Sequence, residues 1–297
     1  MKTGFVGLIG RPNVGKSTLI NTIIGEKVAI VSKRPQTTRN IIQGIYNDSD
    51  SQIVFVDTPG IHKPNHKLGS YLNRQAYYTI EDNDVLLFVT SANEEWGRGD
   101  EFVLERLKKT GKPIILVINK IDLLTKEEIY LKINDIKDKY DFAAIVPISA
   151  LRDDNIERLL KVIKEYLNEG PIYYEEDEYT NRSVKFLVSE IVREKIFNLT
   201  EKEIPHSATC IVENFEKSNN SFIINVAIIV DRTQVKKIIV GSHGSMIKEI
   251  GIQARHDIEA LLGNKVYLDL FVKVIPKWRD KEQYLSEFGY DEFKENE

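Results

Sequence analysis

The sequence predicts two domains: an α/β domain built on a mainly parallel sheet wrapped by helices, followed by a smaller α+β domain. The length of 297 residues exceeds one typical domain and gives each of two domains enough chain for its own core. Residues 3–167 alternate short apolar runs with amphipathic stretches, which is typical of a parallel sheet covered by helices. After an acidic break the predicted order changes to α-β-β-α-α-β, and this change indicates a separate domain.

In the first domain, the apolar runs predict strands buried on both faces, at residues 3–9, 52–56, 85–90, 113–118 and 144–148. Apolar residues at helical spacing predict the intervening helices, at residues 16–24, 68–80, 99–109, 126–139 and 155–167. Residues 41–46 are separated from the second run only by the polar residues 47–51, so we expect an antiparallel edge hairpin there.

Residues 171–180 hold four acidic residues and no basic one, and they break both periodicities. They predict an acidic linker between a first domain at residues 1–170 and a second at residues 181–275. The second domain opens with apolar residues at helical spacing: Val184, Leu187, Val188, Ile191, Val192 and Ile196. Strands at 208–215 and 222–230, helices at 233–240 and 245–262, and a strand at 265–274 follow. The acidic, aromatic tail at residues 276–297 is expected to pack on this domain or on a protein partner.

The charge distribution separates the domains more clearly than the net charge of −4 does. Residues 181–279 hold 15 basic and 11 acidic residues, so they form a moderately basic module between two acidic segments. Cys210 is the only cysteine, which excludes an intramolecular disulfide and predicts a buried thiol. No apolar run reaches the ~20 residues of a membrane span and no signal-peptide pattern is present, so we expect an intracellular protein. No coiled-coil pattern stands out, and we expect a monomer.

A phosphate-binding loop is predicted where the first strand meets the first helix. The residues match G-x-x-x-x-G-K-[ST] and continue into the helix: Gly10, Arg11, Pro12, Asn13, Val14, Gly15, Lys16, Ser17 and Thr18. The two glycines let backbone N–H groups turn toward phosphates at the start of a helix. Lys16 is expected to reach the β- and γ-phosphates, and Ser17 to ligate Mg²⁺.

Guanine is the base that the next two motifs predict. Asn119-Lys120-Ile121-Asp122 follows the strand at residues 113–118, at the sheet edge where ligands bind in such folds. The Asp122 carboxylate can accept from the N1–H and the amine of guanine, while Asn119 serves O6 and N7. Adenine would leave the carboxylate unpaired. Ser149-Ala150-Leu151 follows the last strand and would support the base through main-chain N–H groups.

Two further segments are predicted to respond to the γ-phosphate. Asp57-Thr58-Pro59-Gly60 follows the strand at residues 52–56; Asp57 can hold Mg²⁺ through water, and the Gly60 N–H can sense the phosphate. Residues 35–39 are polar and turn-prone and lie where the first switch segment is expected, within residues 33–39, which GTP is expected to order. Thr38 is favoured as its Mg²⁺-sensing residue, with Thr37 as the close alternative, since spacing cannot separate them.

These motifs in this order resemble the translation-factor-related GTPases, and GRPNVGKSTLIN and QTTR are similar to the Era, Der and MnmE group. Residues 240–251 look like the GxxG loop and following helix of a KH domain. A GTPase with a C-terminal KH domain is the layout of the Era family. The resemblance implies binding near the 3′ end of small-subunit ribosomal RNA, not DNA, during assembly of the small ribosomal subunit. It also implies a cytoplasmic protein that is partly peripheral at the membrane.

The residues of the GxxG loop themselves favour RNA binding. Glycine at both ends of Gly241-Ser242-His243-Gly244 lets an RNA backbone approach closely. Many relatives carry Lys or Arg within this loop, where this chain has Ser242 and His243. Affinity is therefore expected to depend on nearby cations, although solvated helix faces also explain these four residues: Lys236, Lys237, Lys248 and Arg255.

Hydrolysis is expected to depend on Lys16, Asn13, Thr38 and Gly60. Ile61 stands where Ras-like GTPases have the glutamine that orients water, so the protein should hydrolyse GTP slowly by itself or use another group. Relatives with this change that keep the loop asparagine can bind K⁺ there, which implies a K⁺ role for Asn13; a turn-forming residue is the alternative interpretation. Arg39 and His62 are further candidates for positioning water.

Three competing functions are weaker interpretations of the same sequence. GTP-assisted RNA modification is disfavoured because no nucleophile or cofactor motif accompanies the GTP motifs. A purely structural nucleotide site is disfavoured because the phosphate and base motifs are complete. A membrane-recruited switch fits poorly with the acidic tail, since anionic lipid would repel it.

Overall fold

A computed structural model describes residues 1–32, 34, 37–59 and 66–290, and the chain forms two compact units. The first unit comprises Met1–Ala29, Thr38–Lys63 and Leu72–Asn181. The second comprises Ile30–Thr37, Pro64–Tyr71 and Arg182–Glu297. Two short stretches from the N-terminal half thus belong to the second unit, a division that the sequence pattern does not predict.

The first unit contains one mainly parallel sheet, as predicted. Its strands are β1 (Lys2–Ile9), β2 (Ile42–Asn47), β3 (Ser51–Asp57), β4 (Val85–Ser91), β5 (Ile114–Asn119), β6 (Ala144–Pro147) and β7 (Asn168–Glu169). The order is β2-β3-β1-β4-β5-β6; β2 runs antiparallel to β3, and β7 pairs antiparallel with β1. Every residue of β3, β4 and β5 is buried, because helices cover both faces of a parallel sheet.

The helices between these strands are α1 (Lys16–Ile24), α2 (Lys67–Asp82), α3 (Arg98–Leu107), α4 (Lys126–Ile136) and α5 (Ile156–Tyr166). Their bounds follow local signals. α1 ends at Gly25, whose φ of 78° suits a residue without a side chain. α4 begins with a capping box in which Thr125 and Glu128 satisfy each other's backbone N–H groups. The order of these elements brings the ends of β1, β3 and β5 to one edge of the sheet, where parallel α/β folds bind their ligands.

The second unit has the predicted α-β-β-α-α-β order with short additions. It contains α6 (Val184–Leu199), α7 (Ile204–Ser207), β8 (Ala208–Ser218), β9 (Ser221–Val230), α8 (Thr233–Val240), α9 (Ser245–Leu262), β10 (Lys265–Val274) and α10 (Glu282–Glu287). The sheet order is β10-β9-β8, with β9 parallel to β10 and antiparallel to β8. Its core includes the buried thiol of Cys210, in agreement with the sequence.

The C-terminal tail packs within the second unit over the part that the structure describes. The Trp278 side chain is fully buried, and its indole N–H donates to the Ser207 carbonyl over 3.0 Å. The Tyr290 hydroxyl lies 2.9 Å from the Thr209 hydroxyl. This packing matches the first of the two roles expected for the tail, while Phe293 and its neighbours lie outside the described residues.

The acidic segment at residues 171–180, expected to be a linker, instead belongs to the first unit. The Gln52 side chain accepts from the backbone N–H groups of Tyr173 and Tyr174 and donates to the Tyr174 carbonyl. The Tyr179 carbonyl accepts from the Ile45 N–H, so the segment adds backbone pairing beside β2. Composition could not show this because the partners lie about 120 residues away in sequence.

In the described part of the chain, no helix has the length and apolar character needed to span a bilayer.

Candidate nucleotide site and nucleic-acid interface

The loop at residues 10–17 joins β1 to α1, and two of its positions require glycine. A Cβ on Gly10 would come 2.3 Å from the Val89 carbonyl oxygen, which is backbone and cannot move aside. Gly15 has φ 99°, and a Cβ there would lie 2.3 Å from the Asn119 amide nitrogen. Asn13 also adopts positive φ, at 65°. This succession of left-handed and helical residues turns backbone N–H groups inward, the arrangement that cradles phosphates.

Lys16 is buried inside this loop. Its Nζ donates to the carbonyls of Gly10 over 3.1 Å and Arg11 over 3.0 Å. Burial lowers the pKa of Lys16, and the nearby Asp57 carboxylate opposes this effect. The ammonium therefore lies in a poorly solvated position where an anion would stabilise its charge, as β- and γ-phosphates do.

Three side-chain oxygens meet beside this lysine. The Ser17 hydroxyl donates to Asp57 Oδ2 over 2.8 Å, the Thr38 hydroxyl lies 3.2 Å from the same oxygen, and the two hydroxyls are 3.0 Å apart. The Thr37 hydroxyl donates to the Arg34 carbonyl instead, so Thr38 is the threonine of the pair that lies in this cluster.

The cluster fits a divalent cation with oxygen ligands. Asp57 is fully buried, and its Oδ1 has no hydrogen-bond partner among the described residues. Burial raises the pKa of Asp57, against the lowering effects of Lys16, Ser17 and Thr38. A buried carboxylate with an unsatisfied oxygen and two neighbouring hydroxyls is the donor set that Mg²⁺ prefers, and the cation would stabilise the charge that burial disfavours.

Within the Asp57 motif, the Thr58 side chain bonds to β1 rather than to the oxygen cluster. The Thr58 hydroxyl donates to the Leu8 carbonyl over 3.1 Å and so ties the end of β3 to β1. Pro59 is buried. Gly60, Ile61 and His62 lie outside the described residues, as do Lys33, Pro35 and Gln36 of the first switch segment. Arg39 is described and is buried.

Asn119 connects the phosphate end of the site to its base end. Its Nδ2 donates to the Val14 carbonyl over 2.9 Å, and its Oδ1 accepts from the N–H groups of Lys120 and Ala150 over 2.8 and 3.0 Å. The sequence predicts contacts between Asn119 and the base. The structure shows that most of its hydrogen-bonding capacity ties two loops together, which leaves one N–H for a ligand.

The other residues at the base end are arranged around a carboxylate. The Ser149 hydroxyl donates to Asp122 Oδ1 over 2.6 Å, which orients the carboxylate and leaves Oδ2 available for a ligand, with Arg152 Nε at 4.0 Å. Lys120 has φ 67°, and its Nζ donates to the Asn13 carbonyl over 2.7 Å. Leu151 is 77% exposed, so it contributes backbone rather than packing.

One supporting contact is not evident from the sequence. Arg11 Nε lies 3.0 Å from Asp100 Oδ1, and Arg11 Nη2 lies 2.7 Å from Glu94 Oε2. Asp100 is buried at the start of α3 and also accepts from the Gly97 N–H, so the phosphate loop is braced against that helix. No local sequence signal connects an arginine to carboxylates more than 80 residues away.

In the second unit, the GxxG loop joins α8 to α9. Gly241 and Gly244 have φ 75° and 79°, and a Cβ on Gly241 would lie 2.7 Å from the Met246 backbone nitrogen. His243 also has positive φ, at 50°, and both Ser242 and His243 are exposed. The loop thus presents backbone without bulky side chains at its ends, which allows a sugar–phosphate chain to approach.

Four cations on the flanking helices are all exposed: Lys236, Lys237, Lys248 and Arg255. Two apolar side chains on the same helices, Ile238 and Ile252, are 48% and 51% exposed. Exposed cations together with exposed apolar groups can bind phosphates and unstacked bases.

Comparison with known proteins gives a consistent result for both units. Residues 5–120 match the family described as 50S ribosome-binding GTPase, and residues 203–279 match the KH domain family. The chain is 41% identical to a tyrosine-to-alanine variant of Aquifex aeolicus Era crystallised with GDP·AlF4⁻, with a TM-score of 0.94 over 98% of this chain and 99% of that one. The same values relate it to a structure of Era in complex with MgGDPNP and nucleotides 1506–1542 of 16S ribosomal RNA.

Proposed function

This chain belongs to the Era family of GTPases with a C-terminal KH domain, and from this we propose that it is a GTP-driven switch on small-subunit ribosomal RNA. It hydrolyses GTP to GDP and phosphate. Its KH domain binds the small-subunit ribosomal RNA near the 3′ end, as Era does in its complex with nucleotides 1506–1542, and the protein acts in assembly of the small subunit. The observation that carries the proposal is the cluster of Ser17, Thr38 and Asp57 beside Lys16, since it supplies a cation site within a phosphate-binding loop.

We assign the nucleotide contacts from this geometry. Lys16 would exchange the carbonyls of Gly10 and Arg11 for phosphate oxygens, while Ser17, Thr38 and Asp57 hold Mg²⁺, the last through water. The bound cation would neutralise charge that develops on the phosphate oxygens during hydrolysis. Asp122, oriented by Ser149, would accept from guanine.

The remaining contacts are main-chain or supporting contacts within the same motifs. They are assigned to Gly10, Arg11, Pro12, Asn13, Val14, Gly15 and Thr18 around the phosphates, Thr58, Pro59 and Gly60 near the γ-phosphate, and Asn119, Lys120, Ile121, Ser149, Ala150 and Leu151 around the base.

Hydrolysis also requires compensation for Ile61, whose side chain can neither donate to nor accept from water. We assign this role to K⁺ held by Asn13, an exposed residue of the phosphate loop. A monovalent cation held by Asn13 would supply the electrostatic stabilisation that an arginine finger gives elsewhere. GTP turnover should be faster in KCl than in NaCl at matched ionic strength, and Asn13→Ala should remove the difference. Equal rates in both salts would assign the role to another group, such as Arg39 or His62.

The RNA contacts are assigned to Gly241, Ser242, His243 and Gly244 with Lys236, Lys237, Lys248 and Arg255. For single-stranded RNA, each phosphate contact contributes about 0.7 to the slope of log affinity against log salt. Replacing Lys236 and Lys237 by Ala should lower that slope by roughly 1.4. Lys217→Ala, an exposed cation in the β8–β9 hairpin, serves as the matched control and should leave the slope unchanged. A slope that is unchanged in the double variant would assign these lysines to a solvated face.

The proposal is tested by the affinity for an RNA fragment from the 3′ end of small-subunit ribosomal RNA, at fixed salt, with GDP and with a non-hydrolysable GTP analogue. A GTP-form affinity about tenfold higher corresponds to coupling of about 1.4 kcal/mol between the domains and supports a switch. Tight but identical binding in both states would leave a GTPase and an RNA binder without intrinsic coupling. Absence of binding in both states would overturn the RNA assignment and leave the GTPase intact.

The resemblance also supports a cytoplasmic location with peripheral association at the membrane, and we propose a monomer. Flotation with vesicles and light scattering of the nucleotide-bound protein test these two points.

A further inference from the structure

Helix α6 of the second unit holds both ends of a segment that leads into the nucleotide site. Ile30–Thr37 belongs to the same compact unit as α6. Near the start of the segment, the Val31 N–H donates to Glu194 Oε1 over 2.9 Å. At its end, Arg193 Nη2 donates to the Thr37 carbonyl over 2.7 Å. Two consecutive charged residues of one helix thus bind backbone groups of the segment about 160 residues earlier in the chain.

The Arg193 side chain is fully buried and held in one orientation. Its Nε donates to Glu190 Oε1 over 2.7 Å, its Nη2 also donates to Glu190 Oε2, and its guanidinium lies 5.3 Å from the centre of the Phe197 ring. Burial would lower the pKa of Arg193, but the Glu190 carboxylate beside it raises that pKa overall. Among the described residues, Arg193 Nη1 has no hydrogen-bond partner.

A buried ion pair of this kind is weak evidence of stabilisation. Removing two charges from water costs several kcal/mol per ion, and well-packed apolar residues of similar volume often give equal or greater stability. The Arg193–Glu190 pair does, however, fix a planar donor at a defined position, which an apolar pair cannot do. The structure therefore favours positioning of the Thr37 carbonyl as the role of this pair.

The Thr37 carbonyl matters because of its neighbour. The carbonyl of Thr37 and the N–H of Thr38 belong to one rigid peptide plane, so a hydrogen bond that fixes the first restricts the second. Thr38 lies in the first unit, and its hydroxyl is 3.0 Å from the Ser17 hydroxyl and 3.2 Å from Asp57 Oδ2. The chain thus passes in a single residue from the α6 contact to the proposed metal site.

Lys67, in the other stretch of the N-terminal half that belongs to the second unit, makes exposed contacts. Lys67 Nζ lies 2.8 Å from Glu282 Oε1, but the two side chains are 57% and 83% exposed. Exposed ion pairs contribute little to stability, because water and salt screen them. The buried contact of Arg193 is the stronger candidate for a positioning interaction.

We propose that Arg193, oriented by Glu190, is a positioning residue for Thr38, through which the KH-domain helix α6 sets how strongly the GTPase site prefers triphosphate over diphosphate. The inference rests on the proposed GTP switch and names the residues that regulate it. A nucleoside triphosphate uses the threonine that contacts Mg²⁺ and the γ-phosphate, whereas a diphosphate does not, so loss of the Arg193 contact should weaken triphosphate binding selectively.

The test compares dissociation constants for GDPNP and GDP in saturating Mg²⁺, and repeats the GDPNP measurement across a Mg²⁺ titration. The main variant is Arg193→Met combined with Glu190→Gln, which removes the donor without leaving a buried carboxylate unpaired. It should bind GDPNP about tenfold more weakly and require more Mg²⁺, with GDP affinity changed less than about twofold. Asp257→Asn is the matched control: it breaks the 2.5 Å pair with Lys195 on the same helix and should keep the wild-type ratio.

Arg193→Lys provides a second variant in case the double variant does not fold. It retains a charge beside Glu190, but one ammonium cannot reproduce the fork that serves both Glu190 and Thr37, so it should also lower the GDPNP preference. An unchanged GDPNP-to-GDP ratio in a folded variant, or an equal loss of both affinities, would overturn the positioning role. Failure of the wild-type protein to bind either nucleotide would instead overturn the proposed function itself.

Discussion

Asn119→Ala should remove the connection between the phosphate end and the base end of the nucleotide site. Asn119 is 2% exposed, and its truncation leaves three backbone groups without partners: the Val14 carbonyl and the N–H groups of Lys120 and Ala150. Each lost neutral hydrogen bond costs about 1 kcal/mol, and more if the orphaned group cannot reach water. The free energy of unfolding of the nucleotide-free protein should therefore fall by roughly 3–4 kcal/mol.

The same change should weaken GDP binding beyond its effect on stability. Val14 belongs to the phosphate loop and Ala150 to the base loop, and Asn119 bonds to both. Without Asn119, bound GDP has to order the two loops itself, and the free energy of that ordering reduces its affinity. We expect the GDP dissociation constant, measured by calorimetry on folded protein, to rise by roughly 100-fold or more, about 2.7 kcal/mol.

Asn83→Ala is the matched control for this prediction. Asn83 is 1% exposed and donates to the Thr79 carbonyl at the end of α2, where no predicted nucleotide residue lies. It should lower stability but leave the GDP affinity within about twofold, since one local hydrogen bond is lost. If Asn119→Ala bound GDP like the wild type, or if both variants weakened GDP binding equally, the connecting role of Asn119 would be refuted.

Three other changes test separate parts of the structure. Asp122→Asn removes two charge-assisted hydrogen bonds to guanine, so it should lower GDP affinity by about 3 kcal/mol and allow xanthosine diphosphate to bind. A loss of GDP affinity without binding of xanthosine diphosphate would contradict the base assignment. Trp278→Ala should reduce the free energy of unfolding of the second unit by about 3–5 kcal/mol in urea denaturation, and a loss below about 1 kcal/mol would show that the tail does not contribute to its core. Partial burial tends to raise the pKa of Asp48, but the hydrogen bond from Lys164 holds that pKa well below its ordinary value of 3.8. The stability from the Asp48–Lys164 pair is thus present above pH 3.8 and is lost as the pH falls toward the lower pKa of Asp48 in the folded state. Asp48→Asn should therefore lower the free energy of unfolding by about 1 kcal/mol at neutral pH and flatten its dependence on acid pH. Asp50 is more exposed, so Asp50→Asn should have a smaller effect on stability and on its pH dependence.

Much of the fold could be predicted because its signals are local. The central strands are continuous apolar runs, since both faces of a parallel sheet are buried, and the structure confirms each of them. The phosphate loop could be located because Gly10 and Gly15 meet steric requirements that a short motif records directly. The choice between Thr37 and Thr38 could not be made from spacing, because it depends on which hydroxyl the chain turns toward Asp57.

Contacts between distant segments were beyond sequence reasoning, and the acidic segment at residues 171–180 shows why. Its composition matches that of a solvated linker, yet its backbone is bound by Gln52, a residue inside a buried strand. A buried glutamine in an apolar run is a signal that some backbone must satisfy it. The sequence contains that requirement but does not say which segment fulfils it.

Helix α6 presents the same problem with a functional consequence. The six apolar residues that predict α6 define one face, and Glu190, Arg193 and Glu194 lie off that face, where a pattern-based interpretation expects solvent. All three are buried: Glu194 accepts from the Val31 N–H, Arg193 donates to the Thr37 carbonyl, and Glu190 pairs with Arg193. Charged residues on a solvated helix face keep their hydration, whereas burying them costs free energy. The GDPNP-to-GDP ratio of the Arg193 variants measures whether these buried charges serve the proposed switch.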